Sequence, residues 1–158
     1  MVIVAGLGFR TQCNVASLRA ALNAALSAAL DATQQTHGPA STYSTYSTYS
    51  TTSMPITLTA LATAADKASH PAILQLAAEL QLPITPVNLA QLTKQAATPS
   101  AYVPTRYGAH SVAEAAALAA AAMAVQAEPV RAQLLTPRCT SPDRLATAAI
   151  AFSENIHP

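Results

Sequence analysis

The residues of this sequence best suited to chemistry begin directly after its first apolar stretch. VIVA (residues 2–5) is continuously apolar and β-branched, as expected of a strand buried on both faces. It runs into GLGFR (6–10), which predicts a glycine-containing turn over 6–13. Glycines let a backbone approach a ligand closely, and Arg10 precedes a predicted helix start, where anions are favoured. The pattern predicts an anion-binding turn, and a tight turn with a solvated Arg10 explains it equally well.

Two common nucleotide-binding motifs do not fit this turn. GxGxxG requires glycine at position 11, where Thr11 stands, and the sequence contains no GxxxxGK[ST]. A dinucleotide site is therefore not expected, although a Rossmann-like module for a small phosphorylated ligand stays an alternative.

Further cations and hydroxyls follow later predicted strands. Lys67 lies in the loop after the second strand, Arg106 in the loop before the last helix, and Ser111 at the start of that helix. The carboxyl ends of parallel strands meet at one edge of a sheet, so these residues should surround one site for carboxylates or phosphates. Placement of scarce charges in solvated loops is the alternative. The predicted ligand-binding residues are Gly6, Gly8, Phe9, Arg10, Lys67, Ser100, Arg106 and Ser111.

No catalytic constellation is readable, so the sequence leaves open whether the protein is an enzyme. His70, His110 and Asp66 are candidate general bases. Each has a structural alternative, because His70 can help cap the helix that starts with the next residue, His110 can be solvent-exposed and Asp66 can form an ion pair. Cys13 lies near a predicted helix start, where a thiol pKa can fall, but a buried and inert thiol is the commoner case. No metal-ligand spacing is present, so no metal site is predicted.

The elements that must position these residues alternate between strands and helices. Strands are predicted at 2–5, 56–61, 84–87, 130–135 and 145–152. Helices are predicted after Asn14, from Pro71 to Pro83, briefly over 88–95, and over 112–126. Ser111 and Glu114 form a capping box for the last helix, whose alanines allow close packing on a sheet. This order predicts an α/β fold with three α/β/α layers, a mostly parallel sheet, and the last two strands as candidates for an antiparallel edge.

One segment does not fit this alternation. Residues 32–54 include STYSTYSTYSTTS, a three-residue repeat without charge, and predict a disordered insert. A tyrosine-rich loop that is phosphorylated or binds ligand is the functional alternative. The remainder predicts a single domain over 1–152 and a tail over 153–158.

The composition excludes several classes of protein. Hydrophobic residues make up 51% of the chain and charged residues 9%, with a net charge of +1 and no Trp, which argues against a nucleic-acid partner. Two cysteines, Cys13 and Cys139, cannot form a disulfide framework or a zinc site, and whether they pair stays open. No cationic segment precedes residues 2–8 and the alanine run at 115–122 is too short to span a bilayer. We expect a cytoplasmic protein without a membrane partner.

Several motifs in order resemble a known family. The chain contains GLGFRTQC at its start, DKASHP at 66–71, a PS-containing segment, SVAEAAAL at 111–118 and a terminal strand that ends ATAAIA. This arrangement resembles the cobalamin-biosynthesis family that contains CobE and the C-terminal domain of CbiG. The family's opening motif resembles GxGCRRGT, whereas Phe9 and Thr11 stand here in place of its Cys and second basic residue. SVAEAAAL is matched in full.

The resemblance implies a role in building the corrin ring. CbiG proteins open a ring lactone on a cobalt-precorrin and release acetaldehyde, using an additional N-terminal region. Because this chain begins at the GLG strand, the expected relation is to the free-standing CobE type. The resemblance implies a precorrin-like tetrapyrrole ligand and other cobalamin-biosynthesis enzymes as partners, with no cofactor except cobalt if the ligand carries it. A binding or accessory role is favoured, and a lactone hydrolase is the alternative.

Overall fold

The computed structural model describes residues 2–35, 56–93, 111–125 and 130–155. The strands are β1 (Val2–Phe9), β2 (Ala60–Ala64), β3 (Ile84–Val87), β4 (Val130–Thr140) and β5 (Ala146–Asn155). The helices are α1 (Val15–Gln35), α2 (Pro71–Leu80), α3 (Leu89–Thr93) and α4 (Val112–Met123), with a 3-10 turn at Ala65–Lys67. The repeat of the predicted insert lies outside the described residues. No described helix is long and apolar enough to cross a membrane.

The described strands form one sheet in the order β3-β2-β1-β5-β4. β1 is parallel to β2, and β2 is parallel to β3. β5 is antiparallel to both of its neighbours, β1 and β4. β4 therefore runs in the same direction as β1, and only β5 is reversed. The predicted α/β class, with a parallel core and an antiparallel edge, is confirmed.

Helices cover both faces of the sheet because of the order in which strands are added. β2 and β3 extend the sheet on one side of β1, and right-handed crossovers place α1 and α2 on one face. β4 lies on the opposite side of β1, so the connection through α3 and α4 covers the other face. Ala5, Leu7 and Phe9 pack toward α1 and α2, whereas Val4 packs toward α3 and α4. The predicted three-layer architecture is confirmed.

The predicted start of the first turn is wrong. β1 continues through Gly6 and Gly8 to Phe9, and both glycines pair with β5, opposite Ala149 and Thr147. The turn therefore begins only at Arg10. The glycines belong to the strand because a helix on one face leaves no room there for side chains.

Other predicted boundaries also differ from the structure. β2 is Ala60–Ala64 rather than 56–61, because a strand buried on both faces needs no alternation of polar and apolar residues. β4 continues through Pro137 to Thr140. It is an edge strand with register shifts around this proline, and both features make proline tolerable. α1 continues to Gln35, into the predicted insert that starts at 32, and β5 continues to Asn155, into the predicted tail that starts at 153.

α4 packs very close to β1. Every residue of α4 from Ala113 to Ala121 is buried. A Cβ added to Gly6 would lie 2.0 Å from the Ala113 carbonyl oxygen and 2.5 Å from the Ala117 nitrogen. The helix backbone thus rests directly on the glycine, and the predicted close approach of the alanine-rich helix is confirmed.

Gly6→Ala should destabilise the fold severely, because the new methyl group meets helix backbone that no rotamer change can move. We expect a loss of about 3 kcal/mol or more in the free energy of unfolding, measured with urea. Gly8→Ala is the matched control, because its Cβ would lie 2.9 Å from the Thr147 side-chain oxygen and 3.4 Å from the nearest helix atom. Its cost should be about 1 kcal/mol. Equal costs for the two variants would contradict this account.

Candidate functional site

One edge of the sheet collects most of the predicted site residues that the structure describes. β1, β2, β3 and β4 all end there, and β5 begins there. We call the residues at 9–14, 65–70, 88, 111 and 141–145 the carboxyl edge. In open α/β sheets, ligands bind outside the carboxyl ends of the strands, so this edge is the candidate site.

Side chains from neighbouring segments bind three successive carbonyl groups at the end of β1. The Thr63 hydroxyl donates to the Leu7 oxygen at 2.9 Å, and the Thr147 hydroxyl donates to the Gly8 oxygen at 3.2 Å. The Lys67 ammonium donates to the Phe9 oxygen and lies 5.3 Å from the centroid of the Phe9 ring. Lys67 therefore lies at the predicted edge, and its charge is partly used to hold the 3-10 turn against β1.

His70 is positioned by three contacts at the carboxyl edge. Its Nδ1 accepts a hydrogen bond from the Ala72 N–H at 3.2 Å, which caps α2, and its Nε2 lies 2.9 Å from the Thr11 carbonyl oxygen. Its ring meets the Phe9 ring edge-on, with 5.0 Å between centroids. Because Nδ1 accepts, the proton lies on Nε2 and is donated to Thr11. Both nitrogens are used within the fold, so this geometry favours the capping role of His70 over that of a general base.

A network of hydroxyls holds the carboxylate of Asp143 beside the first turn of α1. Asn14 caps this helix through a 2.9 Å bond from the Ser17 N–H to its side-chain oxygen. The Ser17 hydroxyl donates to one Asp143 oxygen. The other oxygen accepts from the Ser141 hydroxyl at 2.5 Å and from the Leu145 N–H at 3.0 Å. The anion beside the N-terminus of the first helix is therefore the protein's own carboxylate.

These contacts change the acid–base properties of two residues. The hydroxyl of Ser141, followed by that of Ser17 and the Leu145 N–H, holds the pKa of Asp143 below its ordinary value. Burial, followed by the negative charge of Asp143, raises the pKa of the Cys13 thiol. The position near a helix start therefore does not lower the thiol pKa, and Cys13 is a buried core residue, the commoner of the two cases that the sequence left open. Cys13 and Cys139 are both free thiols.

Ser111 and Glu114 join α4 to the sheet. The Ser111 oxygen accepts from the Glu114 N–H at 3.4 Å, so Ser111 caps α4 as predicted. Glu114 is fully buried, and one of its carboxylate oxygens accepts from the Arg138 N–H on β4 at 3.0 Å. The carboxylate thus bridges α4 and β4, a contact that a capping box within the helix does not predict.

Two exposed arginines lie on neighbouring segments of the carboxyl edge. The Arg10 N–H donates to the Leu145 carbonyl oxygen at 2.9 Å, which places residue 10 against the turn between β4 and β5. Arg144 lies in that turn, and both arginine side chains are exposed. Sequence reasoning missed Arg144 as a site residue. A hairpin connection between the last two strands is the signal that could have found it, because it returns the chain to the edge where β4 ends.

Two cavities bear on the choice of the candidate site. Asp66 lines a cleft of about 290 Å³ at the ends of β2 and β3, together with Asn88 and apolar residues. A larger groove of about 480 Å³ lies between α1 and α2, away from the carboxyl edge. Among the described residues that line it, Arg19 alone is charged, and it is paired with Glu79. We regard the carboxyl edge as the better candidate because the strand ends and the exposed arginines meet there.

Three predicted site residues, Ser100, Arg106 and His110, lie outside the described residues.

Within the described ranges, no cluster of three or more His, Cys, Asp or Glu side chains could hold a metal ion. Among the same residues, the buried Ser153 hydroxyl on β5 has no hydrogen-bond partner. It lies opposite Val2, at the other end of β1 from the candidate site.

Comparison with known proteins gives a consistent result. The model of the family described as cobalamin synthesis G C-terminus matches residues 3–151. The crystal structure of CobE, a protein from the cobalamin (vitamin B12) biosynthetic pathway, is 31% identical with a TM-score of 0.67 and covers 98% of this chain and 93% of that one. Cobalamin biosynthesis protein chiG from Agrobacterium tumefaciens is 29% identical with a TM-score of 0.53, covering 96% of this chain and 98% of that one. No curated protein sequence matches.

A third solved structure, from Sulfolobus solfataricus, is similar in fold alone. It is 15% identical with a TM-score of 0.58, and the match covers 98% of this chain and 37% of that one. The fold therefore also occurs as a part of a longer chain.

The Asp143 network predicts a pH-dependent contribution to stability. The pKa of the Asp143 carboxyl is lower in the folded state than in the unfolded state, so the ionised carboxylate stabilises the fold. This stabilisation is fully present above the ordinary pKa of about 4, and it is lost as the pH falls through the pKa of the folded state. Asp143→Asn should lower the urea midpoint at neutral pH, and the difference from the wild type should shrink below about pH 4. Ser17→Ala, which removes one donor, should show a smaller effect of the same form. A difference that is constant across this range would contradict the assignment.

Proposed function

This chain belongs to the cobalamin synthesis G C-terminal family, and from that premise we propose that it binds a carboxylate-rich, precorrin-like tetrapyrrole at the carboxyl edge. It is a cobalamin biosynthesis protein of the CobE/CbiG type. Intermediates of this pathway are macrocycles with acetate and propionate side chains. A ligand of this kind needs several cationic or hydrogen-bonding groups spread along one surface rather than a single deep pocket.

The observation that carries the proposal is the exposed Arg10 at the end of β1, beside Lys67 and a helix start. A guanidinium can donate two parallel hydrogen bonds to a carboxylate. A hydrogen bond of this charged type contributes about 1.5–3 kcal/mol, so a few of them suffice to hold a polycarboxylate. Lys67 adds positive charge close to Arg10, while its bond to Phe9 fixes its position.

A phosphate at the start of α1, the position that the phosphorylated-ligand alternative favours, is less well supported by the same geometry. In nucleotide-binding α/β proteins, the first helix offers its N-terminus to a phosphate. Here Asp143 is bonded to Ser17 in the first turn of α1. A phosphate at this position would meet a carboxylate of the same charge. The favoured anion site is therefore on the arginines and not at the start of α1.

A lactone-opening hydrolase remains the alternative in which the same ligand is changed. Lactone opening needs a base that activates water. His70 uses both ring nitrogens within the fold. No geometric observation among the described residues favours one candidate general base over the others, so we favour the binding role. Any cobalt belongs to the ligand in either case, and other enzymes of the pathway would supply and receive it.

Arg10→Ala should weaken binding of cobyrinic acid, a corrin with free carboxylate side chains, by about tenfold or more. The unfolding midpoint should not change, because the Arg10 side chain is exposed and its backbone bonds remain. Binding can be followed by the visible spectrum and by retention of the corrin on a desalting column. The mass of the recovered ligand separates a binder, which leaves it unchanged, from an enzyme.

Arg131→Ala is the charge-matched control. Arg131 lies near the start of β4, at the end of the strands that is opposite to the carboxyl edge. It should bind cobyrinic acid like the wild type. Fully methyl-esterified cobyrinic acid, which has no carboxylates, should bind poorly to all variants. Equal affinity of Arg10→Ala and the wild type would contradict the site, and no binding of cobyrinic acid by the wild type would contradict the proposed function.

A further inference from the structure

Arg144 has a backbone conformation that is unusual for its residue type. Its φ is 61°, in the left-handed region, and its N–H donates to the Ser141 carbonyl oxygen at 2.9 Å. This bond closes a four-residue turn with Pro142 at the second position, and Arg144 itself takes the left-handed position that follows in such hairpins. Glycine is the usual residue there, because a Cβ is strained in this conformation.

The other described non-glycine residue with positive φ has a structural explanation. Gln81, with φ 55°, ends α2, and its N–H bonds to the Ala77 and Ala78 carbonyl oxygens. Left-handed residues are common at this position of a helix end. Both sites hold a long polar side chain in a conformation that suits glycine, but only Arg144 lies at the carboxyl edge.

Several contacts hold the turn that contains Arg144. The Asp143 carboxylate accepts from the Ser141 hydroxyl and the Leu145 N–H, and it is joined to α1 through Ser17. The Ser141 N–H donates to the Ala146 carbonyl oxygen at 2.8 Å. Strained residues persist where the surrounding structure determines them, and such residues often occur at ligand-binding sites.

The turn also places Arg144 on the segment that is bonded to Arg10. The bond from the Arg10 N–H to the Leu145 oxygen joins the residue after Arg144 to the end of β1. Both side chains are exposed, and no ion pair to either is present among the described residues. Two exposed cations on adjacent segments can both be attracted by the negative charges of one ligand at this edge.

We propose that Arg144 is a second ligand-binding residue, and that Arg10 and Arg144 together bind two neighbouring carboxylates of one ligand. This inference rests on the proposed function and specifies its ligand chemistry. The matching group is a pair of carboxylates on adjacent ring substituents, as where an acetate and a propionate share one pyrrole-derived ring. Each guanidinium then faces one carboxylate, and a ligand with only isolated carboxylates satisfies one arginine at a time.

Arg144→Gly separates this role from a structural one. Glycine suits the left-handed conformation, so the thermal midpoint should stay the same or rise, whereas the affinity for cobyrinic acid should fall about tenfold. Gln81→Gly is the matched control, because it places glycine at the other left-handed position without changing charge or the carboxyl edge. It should bind cobyrinic acid like the wild type. Arg144→Asn, another residue tolerated in this conformation, serves if the glycine variant does not fold.

The double variant Arg10→Ala/Arg144→Gly tests whether the two arginines act on one ligand. Their effects on the dissociation constant should be non-additive, with the second substitution costing less than it does in the wild type. If Arg144→Gly binds like the wild type while Arg10→Ala is weakened, the inference is wrong and the proposed function stands. If the wild type itself does not bind cobyrinic acid, both are wrong.

Discussion

The contact between α4 and the glycines of β1 is the constraint on which the other features of the described structure depend. Because the helix backbone lies directly against Gly6, α4 can be built almost entirely of alanine and still be buried. Its close position puts Ser111 at the carboxyl edge and lets Glu114 reach the backbone of β4. A larger side chain at this contact would lift the helix, and both connections would be lost with it.

The charged residues at the carboxyl edge divide into those that build the edge and those that are presented by it. Lys67 is bonded to the end of β1, and Asp143 fixes the turn between β4 and β5. Arg10 and Arg144 are exposed on the segments that these contacts hold. Some of the few charged residues therefore hold the backbone segments that carry the exposed ones. Contacts within the fold therefore order the backbone of the described part of this edge.

The sequence predicted well what local pattern determines. Alternating strands and helices indicated the α/β class, and the positions of Ser111 and Pro71 indicated where two helices begin. The sequence did not show that Gly6 and Gly8 lie within a strand. Glycines at the end of a strand and glycines in a turn give the same local pattern, and here the packing of α4 distinguishes them. The placement of Arg144 depends on the reversed direction of β5, which brings residues far apart in sequence to one edge. Tertiary packing determines both features, and single-residue preferences do not.

The Asp143 carboxylate beside α1 has a consequence for competition among ligands in the cell. An anion attached to the same chain has an effective concentration at its site that is set by the connecting turn. A free phosphate or nucleotide at this position would have to displace the carboxylate, and the attached anion raises the concentration of free ligand that is needed to do so. The edge therefore exposes Arg10 and Arg144 while a carboxylate of the chain itself lies beside the position that phosphates most often take in such folds. Discrimination against anions at the start of α1 then follows from a contact within the fold, without any group that recognises those anions.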